Sequence, residues 1–190
     1  IEEGARDICA KAGYVSAGTV EFIVSEDGTV SFLEVNTRVQ VEHPVTEMVT
    51  GVDIIAEQFR IAAGEPLSFA GTDPQLTGHA FEFRINCEDV VNGFAPSPGT
   101  ISQFTVPTGP GIRVDSGVRT GTTIPAYYDS LMAKLVVWGP DRNAALRRAK
   151  QALEEFDIRG VRTVLPFHKD MITSDVLTGD SLDVYTDWVD

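Results

Sequence analysis

The chain is short of cysteine, lysine, histidine and long apolar runs, and each shortage removes a class of explanation. Its two cysteines, Cys9 and Cys87, have no metal-ligand spacing, which sets aside a zinc or disulfide scaffold and fits packing in a reducing compartment. No apolar run approaches the roughly 20 residues that a membrane helix needs, so no membrane partner is expected. Lys and Arg together number 15 against 28 Asp and Glu, a net charge of −13. That balance argues against nucleic acid as a partner. The four lysines, Lys11, Lys134, Lys150 and Lys169, all lie outside any phosphate-cradling loop. The glycine-rich stretch Gly109 to Gly121 has such a loop's composition but neither its lysine nor its following helix, and reads as a set of β-turns. Hydrophobic content of 43% is enough for a globular core, and together with the scarce, unpaired cysteines it fits a soluble cytoplasmic protein.

Against this background one segment stands out. In LEVNTRVQVEHPVTE, residues 33 to 47, Glu34, Asn36, Arg38, Gln40 and Glu42 occupy every second position. In an extended chain all five point to one side, while Val35, Thr37, Val39 and Val41 point to the other. A strip of carboxylates, amides and a guanidinium is costly to bury without partners. It makes sense as the floor of a site that handles anions and a metal.

The preceding residues add to it. GTVEFIV (18 to 24) and TVSFLEV (29 to 35) are β-rich runs joined by Ser-Glu-Asp-Gly. Asp27-Gly28 signals a two-residue type I′ hairpin turn, which would place Glu21 directly opposite Glu34. Like charges there destabilise a hairpin unless a cation lies between them. With Asn36 as a third oxygen, the set suits Mg²⁺ or Mn²⁺ rather than zinc. A solvated acidic hairpin face would account for the pair taken alone; the strip that follows favours the metal.

The remainder reads as α+β. A helix ends near Tyr14, and another runs from about Val52 to Ala63, with Ile54, Ile55, Gln58, Phe59 and Ala62 on its period and a stop at Gly64. Leu67 to Thr77 is a turn-rich linker. Strands are expected over His79–Cys87, Thr100–Val106, Ile112–Ser116 and Ser130–Trp138. Asp141 should cap a helix reaching about Phe156, and two short helices should follow. The division falls at residue 76, giving domains 1–76 and 77–190.

FLEVNTRVQVEHPVTE resembles the signature of biotin carboxylases, the biotin-dependent ATP-grasp enzymes. AGTVEF before it, and GHAFEFRINCED, PSPGTI and PAYYDSLMAKL after it, resemble blocks of the same family in the same order. The resemblance implies that residues 1–76 are the C-terminal part of an ATP-grasp domain and 77–190 the biotin carboxylase C-terminal domain. It also implies a longer parent, whose N-terminal domain, glycine-rich lid and ATP-binding lysines precede Ile1. The chain alone is therefore expected to be inactive towards ATP, and its hairpin half to expose apolar surface.

Carried over by resemblance, Glu21, Glu34 and Asn36 match the metal site, and Arg38, Gln40 and the backbone N–H of Val41 match the bicarbonate contacts. Glu42 matches the general base, expected to be buried among acidic neighbours. Arg84 matches the arginine that stabilises the enolate form of biotin, with a salt bridge to Glu82 or Glu88 as the plainer alternative. Leu33 would lie near the adenine. The implied cofactors are ATP, Mg²⁺ or Mn²⁺, and carrier-bound biotin. The implied partners are bicarbonate, a biotin carboxyl carrier protein or domain, a carboxyltransferase subunit, and a second copy of the chain, for which Arg113 is a loose contact candidate.

His43, His79 and His168 read as structural, and Lys134 lacks the Met-Lys-Met setting of a biotinylated lysine. Pro44 in EHPVTE resembles acetyl- or propionyl-CoA carboxylases of fatty acid biosynthesis more than pyruvate carboxylases. Pyruvate carboxylase, urea carboxylase, another ATP-grasp ligase and a non-catalytic assembly module are the competing readings.

Overall fold

The computed structural model describes residues 1–179, 184, 185 and 188. The chain divides into two compact units, Ile1–Leu76 and Thr77–Asp190.

The first unit opens with α1 (Glu2–Ala12), which carries Glu2 and Glu3 in its first turn and Lys11 in its last, an order that suits the helix dipole. It ends in a Schellman-type turn at Gly13, φ 62°, with Gly13 N–H donating to Ala10 O and Tyr14 N–H to Cys9 O. Strands β1 (Thr19–Val24) and β2 (Val30–Asn36) form an antiparallel hairpin. Ile23, Val24, Val30, Phe32 and Leu33 are exposed on it.

The turn differs from the two-residue expectation. Ser25 N–H donates to Thr29 O and Gly28 N–H to Ser25 O, with Gly28 at φ 83°. Three residues thus connect the strands, and Asp27 Oδ1 accepts from Thr29 N–H at 2.9 Å. Near the turn Phe22 pairs with Phe32, yet Glu21 pairs with Glu34, so Leu33 is an extra residue in a β-bulge.

Beyond Asn36 the extended strip also ends early. Residues 37–40 bend, 41 and 42 turn, and α2 (His43–Thr50) begins. Pro44 sits in its first turn, where a missing N–H costs nothing. Glu47 is buried on α2, and its Oε1 accepts from Ile54 N–H at 2.8 Å at the start of α3 (Ile54–Ala62). Asp53 caps α3 by accepting from Ala56 N–H at 2.8 Å. On α3 the buried residue is Glu57, whereas Phe59, expected on the apolar face, is 73% exposed.

The second unit is built on an antiparallel three-stranded sheet, ordered β3 (His79–Asn86), β10 (Leu131–Gly139), β8 (Ile112–Ser116). Short strands lie between: β4 (Glu88–Asp89) pairs with β5 (Ala95–Pro96), and β6 (Gly99–Thr100) with β9 (Thr123–Ile124). β7 (Gln103–Thr105) pairs with β11 (Asp157–Arg159). The single strand expected over Thr100–Val106 is therefore two, with separate partners.

Helix α4 (Arg142–Glu155), capped by Asp141 at 2.7 Å from Ala144 N–H, packs on the sheet. Phe83, Ile85, Leu135 and Val137 from alternate positions meet Leu146, Ala149, Ala152 and Leu153 of α4 in one core. At the strand-to-helix corner only glycine fits at Gly139, since a Cβ there would stand 2.4 Å from Ala145 N. Two short helices follow, α5 (Leu165–Met171) and α6 (Asp175–Thr178). Among the described residues, no helix is long and apolar enough to cross a membrane.

Candidate active-site elements

In the first unit the polar residues converge through the hairpin and the bend that follows it. Glu21 and Glu34 are direct cross-strand partners. The Asn36 amide Nδ2 donates to Glu21 Oε1 at 2.7 Å and to Glu34 Oε1 at 3.2 Å. Gln40 Nε2 donates to the same Glu21 oxygen at 3.0 Å. Arg38 Nη2 donates to Asn36 Oδ1 at 3.4 Å and its Nη1 to Val39 O at 3.3 Å. A chain of hydrogen bonds thus runs from the guanidinium to the two carboxylates.

Close approach makes this possible: a Cβ at Gly18 would sit 3.0 Å from Asn36 O and 3.1 Å from the Tyr14 ring. Gly18 lets the strand carrying Glu21 lie against Asn36.

Arg38, Gln40, Glu42, His43 and Thr46 line one open hollow of about 240 Å³. Arg38, Gln40 and Glu42 reach it by a bend and a turn, not by strand alternation. Glu42 is exposed rather than buried, and stands at the N-cap of α2. Val41 lies half-buried in the same turn and Leu33 is 52% exposed at the bulge. His43 donates from Nδ1 to Gln40 O at 2.7 Å, which braces the bend.

Oxygen chemistry decides whether a metal fits. Among the described residues no group of three or more His, Cys, Asp or Glu could hold one. Two facing carboxylates and an amide remain, and a half-turn of the Asn36 amide would present Oδ1 to the same space as its nitrogen. This hard donor set fits a divalent cation that keeps oxygen ligands from water or phosphate, as Mg²⁺ does.

In the second unit Arg84 is exposed on β3, opposite Lys134 on β10. Lys134 is nearly buried and lies 3.8 Å from Asp115 of β8, which also accepts two 2.8 Å bonds from Arg113. Glu88, one of the partners considered for Arg84, accepts from the Ser130 hydroxyl and from Asn86 Nδ2.

The other two histidines also make specific contacts. His79 contacts Arg142 and packs at a tilt of 57° against the Phe81 ring; burial, with the adjacent Arg142 cation, lowers its pKa from the ordinary 6.5. His168 donates from Nε2 to Arg84 O at 2.8 Å. Burial lowers its pKa too, partly opposed by that bond. The His168–Arg84 contact spans 84 positions and left no local mark in the sequence. The Asn36 and Gln40 bonds to Glu21 were foreshadowed only by their spacing.

The comparisons follow the same two parts. Residues 82–190 match the biotin carboxylase C-terminal domain. Residues 1–70 match the ATP-binding domain of the carbamoyl-phosphate synthase L chain. The chain is 53% identical to the biotin-dependent acyl-coenzyme A carboxylase alpha3 subunit of Mycobacterium leprae, over 100% of this chain and 32% of that protein. It is 50% identical to a pyruvate carboxylase subunit of Methanothermobacter thermautotrophicus, over 94% of this chain and 36% of that protein. It thus spans about a third of the length of these curated relatives.

A solved structure of the biotin carboxylase domain dimer of Hydrogenobacter thermophilus 2-oxoglutarate carboxylase, in complex with MgADP, ADP and bicarbonate, superposes with a TM-score of 0.87. It is 50% identical, covering 90% of this chain and 38% of that one. With one family model matched over more than half its residues and relatives at this identity along nearly its whole length, the chain belongs to the biotin carboxylase family.

Proposed function

We propose that this chain supplies the metal ligands, the bicarbonate cradle and the biotin-activating arginine of an ATP-dependent biotin carboxylase. Residues 1–76 act as the C-terminal part of its ATP-grasp domain and 77–190 as its C-terminal domain. The observation that carries the reading is the facing pair Glu21 and Glu34, bridged by Asn36 and continuous through Gln40 and Arg38 with the hollow beside Glu42. A repulsive carboxylate pair is otherwise a cost to a hairpin.

When bound, Mg²⁺ or Mn²⁺ neutralises charge on the ATP phosphates. Glu21 and Glu34 hold it with Asn36 beside them. Arg38 offers two parallel N–H donors to the oxygens of bicarbonate, and Gln40 and the Val41 N–H complete the cradle. Glu42 takes the bicarbonate proton as a bicarbonate oxygen attacks the γ-phosphorus of ATP, forming carboxyphosphate while the bond to the β-phosphate oxygen breaks and ADP leaves. Arg84 stabilises the oxyanion that forms on the biotin ureido oxygen when N1 gives its proton to the phosphate released from carboxyphosphate, and the charge is discharged as N1 bonds to the freed CO₂. Leu33 lies towards the adenine.

We assign the parent to an acyl-CoA carboxylase, with a biotin carrier and a carboxyltransferase as partners and a second copy of the chain in the assembly. Pro44 and the 53% identity to the acyl-CoA carboxylase of Mycobacterium leprae support this. The 50% identity to the pyruvate carboxylase of Methanothermobacter thermautotrophicus keeps that acceptor as the second reading. Free Cys9 and Cys87 suit the cytoplasm.

The test is ATP- and Mg²⁺-dependent fixation of ¹⁴C-bicarbonate onto free biotin by the full-length parent. Activity that Glu34→Gln removes supports the reading. An inactive parent would point to an assembly module instead.

A further inference from the structure

Among the described residues β3 is an edge strand, paired with β10 on one side only. Its outer edge is met by α5 and the residue before it. Val164 N–H donates to Asn86 O at 3.2 Å, and His168 Nε2 donates to Arg84 O at 2.8 Å. A carbonyl can only accept, so Nε2 carries the proton and a neutral imidazole is sufficient.

The spacing of the two contacts is set by geometry. His168 N–H donates to Val164 O at 3.1 Å, so the two residues stand one helical turn apart. Four residues of helix advance about 6 Å, and two residues of strand about 6.6 Å. One turn of helix therefore matches the two carbonyls on the same strand edge. The imidazole is held edge-on to Phe83 at 5.4 Å and against Phe167 at 5.8 Å, and Phe167 packs edge-on to Phe94 at 5.3 Å. This ring has one direction in which to donate, and it points at the peptide of Arg84.

We infer that His168 is a positioning residue for Arg84, fixing through Nε2–H the peptide from which the guanidinium departs. The inference rests on the role proposed above for Arg84. Arg84 is exposed, and the aim of a long exposed side chain depends on how its root is held. A rotation of about 10° at the root moves a group about 7 Å away by about 1 Å, a misplacement on the scale that costs about 100-fold in rate.

The experiment compares His168→Phe, His168→Asn, His168→Gln and Arg84→Ala in the full-length parent. Biotin carboxylation and bicarbonate-dependent ATP hydrolysis are followed separately, with thermal unfolding as a control. Phe keeps the ring without a donor, Asn is too short to reach, and Gln carries an amide N–H at about the reach of Nε2. Phe and Asn should each lower kcat/KM for biotin by about 10-fold or more while ATP hydrolysis stays within about 2-fold, and Gln should recover most of the loss.

Failure of Gln to recover activity that Phe and Asn both lose, or equal loss of both activities in all three, overturns the positioning role. If Arg84→Ala spares biotin carboxylation or damages both activities equally, the reading of Arg84 itself fails, whatever the His168 variants do.

Discussion

Glu21 and Glu34 stand opposite each other because two irregularities of the hairpin cancel: a three-residue turn shifts the register by one, and the extra residue Leu33 shifts it back. The facing pair is repulsive, so Glu34→Lys should replace a like-charge pair with an attractive one. We expect a gain of about 0.2–1 kcal/mol in hairpin stability, together with loss of Mn²⁺ binding. Thermal unfolding and Mn²⁺ paramagnetic resonance on the same sample check both halves. A variant that keeps its Mn²⁺ affinity would remove the pair from the metal site.

Glu42 is tested through its proton. Glu42→Gln keeps the shape of the side chain at the N-cap of α2 but cannot accept a proton. In the full-length parent we expect bicarbonate-dependent ATP cleavage to fall by about 100-fold or more, within the range for loss of a general base, with nucleotide affinity nearly unchanged. Parallel loss of ATP affinity would make Glu42 a binding or structural residue.

The pH dependence of stability follows from His79 and His168. Both have pKa values lowered from 6.5 on folding, chiefly by burial. Between those lowered values and 6.5 the unfolded chain binds more protons than the folded one. Their contribution is therefore complete above about pH 6.5 and is lost as pH falls through the folded values. Denaturant unfolding at successive pH values should show stability declining in that window, and less steeply in His168→Gln. Asp157 and Asp27, lowered from 3.8 by hydrogen bonds from Arg159 and Thr29, add their own loss only at more acid pH.

Gly139→Ala should unfold the second unit more readily than its chemistry suggests. The added Cβ would meet the backbone of α4 at 2.4 to 2.9 Å, where no side chain can turn away. A cost on the order of 1–3 kcal/mol is expected, as for overpacked cores, read as a lower denaturation midpoint. An unchanged midpoint would mean that the β10–α4 corner is loose.

Local signals carried much of this chain. The Asp141 cap, the period of α4 and the alternation of β3 all act over a few residues, and the helix and strands formed where they pointed. Glu21 was matched to Glu34 through a turn that does not form, so a compensating bulge made the right pair from the wrong geometry. The strip from Glu34 to Glu42 stayed together in space but not as a strand. Pro44 in the first turn of α2 was the available sign that the extended chain stops there. The bond between His168 and Arg84 depends on how α5 docks along the sheet, and no pattern of neighbouring residues encodes it.

Covering β3 also protects the chain from itself. An uncovered strand edge presents a row of donors and acceptors that another molecule's strand can join, which is how sheets grow into aggregates. Val164 and His168 occupy that row at Asn86 and Arg84, so a newly synthesised copy stays open to strand addition until α5, which follows β3 by some eighty residues, has been made and has docked.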